Sequence, residues 1–130
     1  MSFTEFLRNL LFPNKKSRIS IRTRNSVAEG WKKIQTLMTT KNPSDLKQAV
    51  LMADKLVDAV LRDLVPGETF GERLKVAKDI FGSWDMYQQA WEAHKVRNSM
   101  AHEVDYDPPY YVCNDAIIKY NAVLRDLGVL

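Results

Sequence analysis

Apolar residues recur along this chain at spacings of three and four, the period of a helix buried along one face. Leu46, Val50, Ala53, Val57, Val60 and Leu64 form the clearest stripe, and Val65-Pro66-Gly67 stops it. Cys113, Ile117, Tyr120, Leu124 and Leu127 repeat the pattern near the C-terminus. Val27, Trp31, Ile34 and Met38 mark a helix running from Asn25 that ends before Asn42-Pro43. Ser44 is the expected N-cap of the next helix, with Asp45 in its first turn, where a negative charge suits the dipole. Thr69-Phe70-Gly71-Glu72 has the form of a capping box, opening a helix with Leu74, Ala77, Ile80 and Phe81. Gly82-Ser83 breaks the chain, and a further helix is expected from Trp84 to about Glu103. Asp105 to Tyr111, with Pro108-Pro109, reads as a loop.

The first 24 residues follow a different pattern. Phe3, Phe6, Leu7, Leu10 and Leu11 are spaced for a short amphipathic helix that Pro13 ends. Packing on the body or on a partner is its expected fate, ahead of lying on a membrane, because ten residues offer little apolar area. Asn14 to Arg24 reads as a basic linker; the alternation Arg18-Ile19-Ser20-Ile21-Arg22 is strand-like, with no evident second strand to pair it. The expected architecture is all-α: an up-and-down bundle of about five helices over residues 25–130, preceded by a short N-terminal helix and basic arm over residues 1–24.

A length of 130 residues suits one domain with a single core. The lone Cys113 cannot form an internal disulfide, which points to a reducing compartment. No apolar run approaches the roughly 20 residues of a membrane span, and no secretory signal pattern opens the chain. A cytoplasmic protein is the expectation. The net charge of +3 is unevenly placed: residues 1–24 hold six basic side chains against Glu5, a net of +5, so the remaining 106 residues sum to −2. A basic arm on a slightly acidic body suggests contact with a polyanion, although a merely solvated arm fits equally well.

The chemically pointed segment lies near the end of the fourth body helix. Tyr87, Ala90, Trp91, His94, Asn98 and Ala101 share one face, which turns from apolar to polar halfway along. Arg97 and His102 flank that stripe about 140° apart on an ideal helix, so they are not neighbours on one turn. Val96 and Met100 lie on the other side of the helix, so both flanks suit burial, as at a subunit interface. A purely structural account also fits: Arg97 paired with Glu92, Glu103 or Asp105, and His102 favoured by the helix C-terminus. His94 reads as a hydrogen-bonded core residue rather than a catalyst. Two histidines eight apart and one distant cysteine leave too few ligands for a metal, and no cofactor is implied.

The stretch Ala93-His94-Lys95-Val96-Arg97-Asn98-Ser99-Met100-Ala101-His102-Glu103 resembles the signature of HEPN-type domains, an arginine and a histidine four to six residues apart. A polar residue, commonly asparagine, follows the arginine in many members, as Asn98 does here. Ala53-Asp54-Lys55-Leu56-Val57, Gly71-Glu72-Arg73-Leu74 and Trp91-Glu92-Ala93-His94 are similar to segments of uncharacterised bacterial HEPN-like proteins. The resemblance covers about residues 45–127. It implies a homodimer whose two motifs meet in a basic cleft, acting as a metal-independent endoribonuclease. In that chemistry His102 transfers protons, Arg97 neutralises the phosphorane and Asn98 orients the phosphate or the histidine. Basic residues placed to hold RNA are Lys15, Lys16, Arg18, Arg22, Arg24 and Lys95. Some family toxins carry a modifiable tyrosine two residues after the histidine; this chain has Val104 there. The family also includes non-catalytic members that bind RNA, nucleotides or partner proteins, and that reading stays open. If the arm binds RNA, removing residues 1–24 lowers affinity and flattens its dependence on salt, measured by fluorescence anisotropy; an unchanged slope excludes the arm.

Overall fold

The computed structural model describes residues 2–4 and 18–130, and among these it is all-helical. Five α-helices follow one another: α1 Ile21–Thr40, α2 Pro43–Leu64, α3 Phe70–Val76, α4 Trp84–His102 and α5 Tyr110–Asp126. A 3₁₀ turn, Ala77–Asp79, extends α3. The helix expected over Phe3–Phe12 lies almost wholly outside the described residues, as do Lys15 and Lys16.

Helix α2 is the centre of the bundle. It packs against all four other helices, with α1 and α5 its main neighbours, while α4 and α5 pair with each other. The stripe Leu46, Val50, Ala53, Val57, Val60 and Leu64 is buried throughout. Ala49 and Leu61 are buried as well, so α2 presents a broad apolar face to several partners. The C-terminal stripe of Cys113, Ile117, Tyr120, Leu124 and Leu127 is likewise buried. Gly30 lets α1 approach α2 closely, since a Cβ there would stand 3.0 Å from the Leu56 side chain.

Helix starts differ from expectation in three places: α5 starts at Tyr110 after Pro109, inside the stretch expected as loop, and α1 and α2 start elsewhere for local reasons. Helix α1 begins at Ile21 rather than near Asn25, because Ser20 caps it by accepting from the Thr23 N–H. The Ser20 N–H donates to Asp63 of α2, and Ile19 is buried, so this stretch is fastened to the body. The strand-like alternation around Ile19 and Ile21 is therefore a helix entry, and among the described residues there is no strand. Helix α2 is capped by Asn42, not Ser44: Pro43 occupies the first helical position, and the Ser44 N–H donates to Asn42 Oδ1 at 2.9 Å. Lys41, in the left-handed conformation with φ 57°, makes the turn from α1. A truncation that tests the basic arm without cutting α1 accordingly ends before Arg18.

The capping box at α3 forms in modified shape. Thr69 Oγ1 accepts from the Glu72 N–H, while the Glu72 carboxylate accepts from the Glu68 N–H, one residue earlier than the reciprocal partner. Ser83 caps α4 by accepting from the Met86 N–H. Helix α3 is short, and an ion pair adds to the burial of Phe70 and Leu74 that seats it. The buried Arg73 grips Asp58 of α2 with both Nε at 2.7 Å and Nη2 at 3.0 Å, and its Nη1 donates to the Gly67 carbonyl. Gly67, at φ 145°, is required there, since a Cβ would come within 2.8 Å of the Arg73 side chain. Arg73→Ala leaves Asp58 without its bidentate partner and is expected to lower stability by about 3 kcal/mol in urea unfolding.

Candidate functional site

Three helices converge on one buried carboxylate. Asp54 sits within the apolar face of α2, four residues after Val50 and three before Val57, and is only 5% exposed. A charge in such a place persists only when its oxygens are satisfied. From α4, His94 Nδ1 lies 2.9 Å from Asp54 Oδ1; from α5, the Tyr120 hydroxyl lies 2.7 Å from the same oxygen. The second oxygen, Oδ2, faces Arg97 Nε at 3.6 Å. The Ala93 carbonyl, 3.1 Å from the Tyr120 hydroxyl, is a second acceptor for that group.

This geometry sets the protonation pattern. A carboxylate can only accept, so Tyr120 donates and His94 carries a proton on Nδ1. Burial pushes the Tyr120 phenol well above its usual range, and the adjacent Asp54 charge adds to the effect, so it remains a donor. In neutral His94 the lone pair is then on Nε2. Among the described residues that atom has no hydrogen-bond partner, and none of their buried side-chain nitrogens or oxygens lacks one, so Nε2 is not fully enclosed by them. The imidazole stacks on Phe70 with centroids 4.2 Å apart and 23° between planes, and Trp91 meets it edge-on at 6.1 Å.

His94 opens on a pocket of about 590 Å³ between α2, the start of α3 and α4. Lys55, Arg62, Arg73 and Arg97 line it against two carboxylates, Asp54 and Asp58, an excess of positive charge. Asp58 is engaged by Arg73 and also meets Arg62 at 3.2 Å. Arg97 and Asn98 reach the pocket together, with Arg97 Nη1 donating to Asn98 Oδ1 at 3.1 Å. The Arg97 side chain is about a third exposed, at 32%.

The residues expected from the sequence are thus divided. Arg97 and Asn98 line the pocket, whereas His102, the exposed last residue of α4, does not. None of the acids expected to pair with Arg97 does so; Asp54 takes that place, and Glu92 pairs instead with Lys119 of α5. Met100 is buried and Val96 packs on the core, so the second flank of α4 is covered within this chain. Arg18 and Arg22 are exposed beside the start of α1, and Arg24 reaches the Gly128 carbonyl at 3.2 Å. Lys95 is exposed on α4 but outside the pocket. Cys113 is buried, which pushes its thiol up and suppresses the thiolate. Among the described residues, no group of three or more His, Cys, Asp or Glu is placed to hold a metal, and no helix is long and apolar enough to cross a membrane.

Local spacing does not single out Asp54 and Tyr120 for chemistry. Both left a signal: an acid inside an apolar face, and a phenol inside an apolar stripe, each of which needs a polar partner when buried. Comparison of the chain with protein-family models, with curated proteins and with solved structures finds no match.

The raised Tyr120 phenol has a consequence for stability. Unfolded, the phenol loses its proton near pH 10, while in the fold it keeps it, so above that pH the unfolded state binds fewer protons. Stability is therefore fully present below about pH 10 and falls as pH rises toward the folded value. Tyr120→Phe should remove this alkaline loss while lowering stability near neutrality by about 1–2 kcal/mol. Urea unfolding between neutral and strongly alkaline pH measures both effects.

Proposed function

We propose that this chain is an HEPN-like domain that acts on RNA, with Arg97 as its phosphate-contacting residue. The observation that carries this reading is the guanidinium of Arg97 at a pocket with an excess of positive charge. Asp54 engages its Nε side and Asn98 its Nη1, leaving Nη2 with no protein partner among the described residues. A planar cation held at two of its nitrogens, with Nη2 open, suits a phosphodiester oxygen.

In this reading the domain is a metal-independent endoribonuclease that works as a homodimer. His102 lies outside the pocket of its own subunit, and a second copy lying along α4 brings it to the phosphate. Arg97 neutralises the charge that builds on phosphorus, Asn98 holds the guanidinium, and His102 exchanges a proton with the reacting ribose oxygens. The exposed Arg18, Arg22 and Lys95 add backbone contacts beyond the pocket. The separation of His102 from the pocket also favours a second reading, in which the same cavity holds RNA or a nucleotide without cleaving it.

The test is cleavage of a mixed RNA in EDTA. Products ending in 2′,3′-cyclic phosphate are expected, with a loss of about 100-fold or more in folded Arg97→Ala and His102→Ala proteins. Unimpaired cleavage by His102→Ala removes the role of His102. RNA binding that weakens in Arg97→Ala, without cleavage by the native chain, selects the binding reading.

A further inference from the structure

The pocket contains a histidine that the Arg97–His102 pairing leaves without a task. His94 is 8% exposed, its Nδ1 is held by a buried carboxylate, and its ring is clamped by Phe70. A histidine needed only for packing has no use for an open nitrogen beside a cationic pocket. A proton acceptor needs that nitrogen, and needs its tautomer and orientation set by a group behind it. Asp54 does both, and Tyr120 holds Asp54 from the opposite helix.

We propose that His94 is the general base of this site, with Nε2 accepting the proton of a ribose 2′-hydroxyl whose 3′-phosphate rests on Arg97 and Asn98. Asp54 and Tyr120 are then positioning residues. This inference rests on the reading above that the ligand is RNA, and it divides the proton transfers between two histidines. The 2′-oxygen attacks phosphorus as Nε2 takes its proton, and the bond from phosphorus to the 5′-oxygen breaks. The departing 5′-oxygen takes a proton from protonated His102 of the second copy. The products are a 2′,3′-cyclic phosphate and a 5′-hydroxyl. Water then carries the proton from His94 away and restores the one on His102. Helix spacing supports the placement, because His94, Arg97 and Asn98 stand at i, i+3 and i+4 and share a face. Asp54 meets both His94 and Arg97, so one carboxylate aligns the base and the phosphate clamp.

Charged groups face His94 from each helix packed around it. Helix α2 supplies Asp54, Lys55, Asp58 and Arg62. Arg73 comes from α3, Arg97 from the same helix as His94, and Tyr120 from α5.

The experiment compares pH–rate profiles for RNA cleavage in EDTA by the native chain, His94→Asn and His102→Ala. Asparagine keeps a donor where Nδ1 stood and has nothing in place of Nε2. A fall of about 100-fold or more is expected in His94→Asn, with RNA affinity changed by no more than about threefold. The rising limb of the profile should vanish in that variant, and the falling limb in His102→Ala. Full activity in His94→Asn overturns the role of His94 and leaves the Arg97–His102 reading standing. Full activity in His102→Ala with loss in His94→Asn does the reverse. A native chain that cleaves nothing overturns both. If His94→Asn does not fold, ¹⁵N spectra of the native chain titrated with cytidine 3′-monophosphate decide the matter. A shift at His94 Nε2 supports the inference, and an unmoved His94 resonance overturns it.

Discussion

Everything distinctive about this bundle depends on the burial of one carboxylate. Moving Asp54 out of water costs several kcal/mol, and the cost is offset only if donors meet it with good geometry. Helix α4 contributes His94 and Arg97, and α5 contributes Tyr120. The three helices are consequently held in register by directional bonds as well as by apolar packing, which alone tolerates sliding and rotation. Asp54, His94 and Arg97 also line the cationic pocket, while Tyr120 holds Asp54 from within the core.

A second ion pair completes that pocket from the other side. Arg73 and Asp58 seat the short α3 against α2, and the first residue of α3 is Phe70, which stacks on His94. Position and chemistry are linked here through a chain of contacts. The turn at Gly67 admits Arg73, Arg73 fixes α3, and α3 delivers the ring that clamps the imidazole. Among the described lining residues, four cations, Lys55, Arg62, Arg73 and Arg97, face two acids, which keeps the surroundings positive. That excess favours a phosphate-bearing ligand over a cationic one.

The helices themselves were legible before any coordinates. Stripes at three- and four-residue spacing in α2 and α5 are the stripes that are buried, and the breaks at Pro66-Gly67 and Gly82-Ser83 fall between helices. Caps were less legible, because several polar residues compete near each start. Asn42 outranks Ser44 once Pro43 takes the first helical position, and Ser20 starts α1 inside a stretch whose alternation resembled a strand. Spacing and the Gly82-Ser83 break predict α4 almost to the residue, and it runs Trp84–His102. Its partners do not follow in the same way: Arg97 turns to Asp54, 43 positions away in the chain, past the acids near it on its own helix and the following loop.

Periodicity and punctuation act over a few residues, so the helices, their order and the presence of Arg97, Asn98, His94 and His102 on one of them follow from local sequence. Which of these side chains meet depends on how the helices pack. Asp54 and His94 are 40 residues apart, and Asp54 and Tyr120 are 66 apart. Nothing in local spacing specifies contacts over such separations. Packing rotates α4 about its axis until His94 and Arg97 face α2, and that rotation leaves His102 at the exposed end of the helix. It is set by the need to satisfy a buried charge, a requirement that exists only once the core has closed around it.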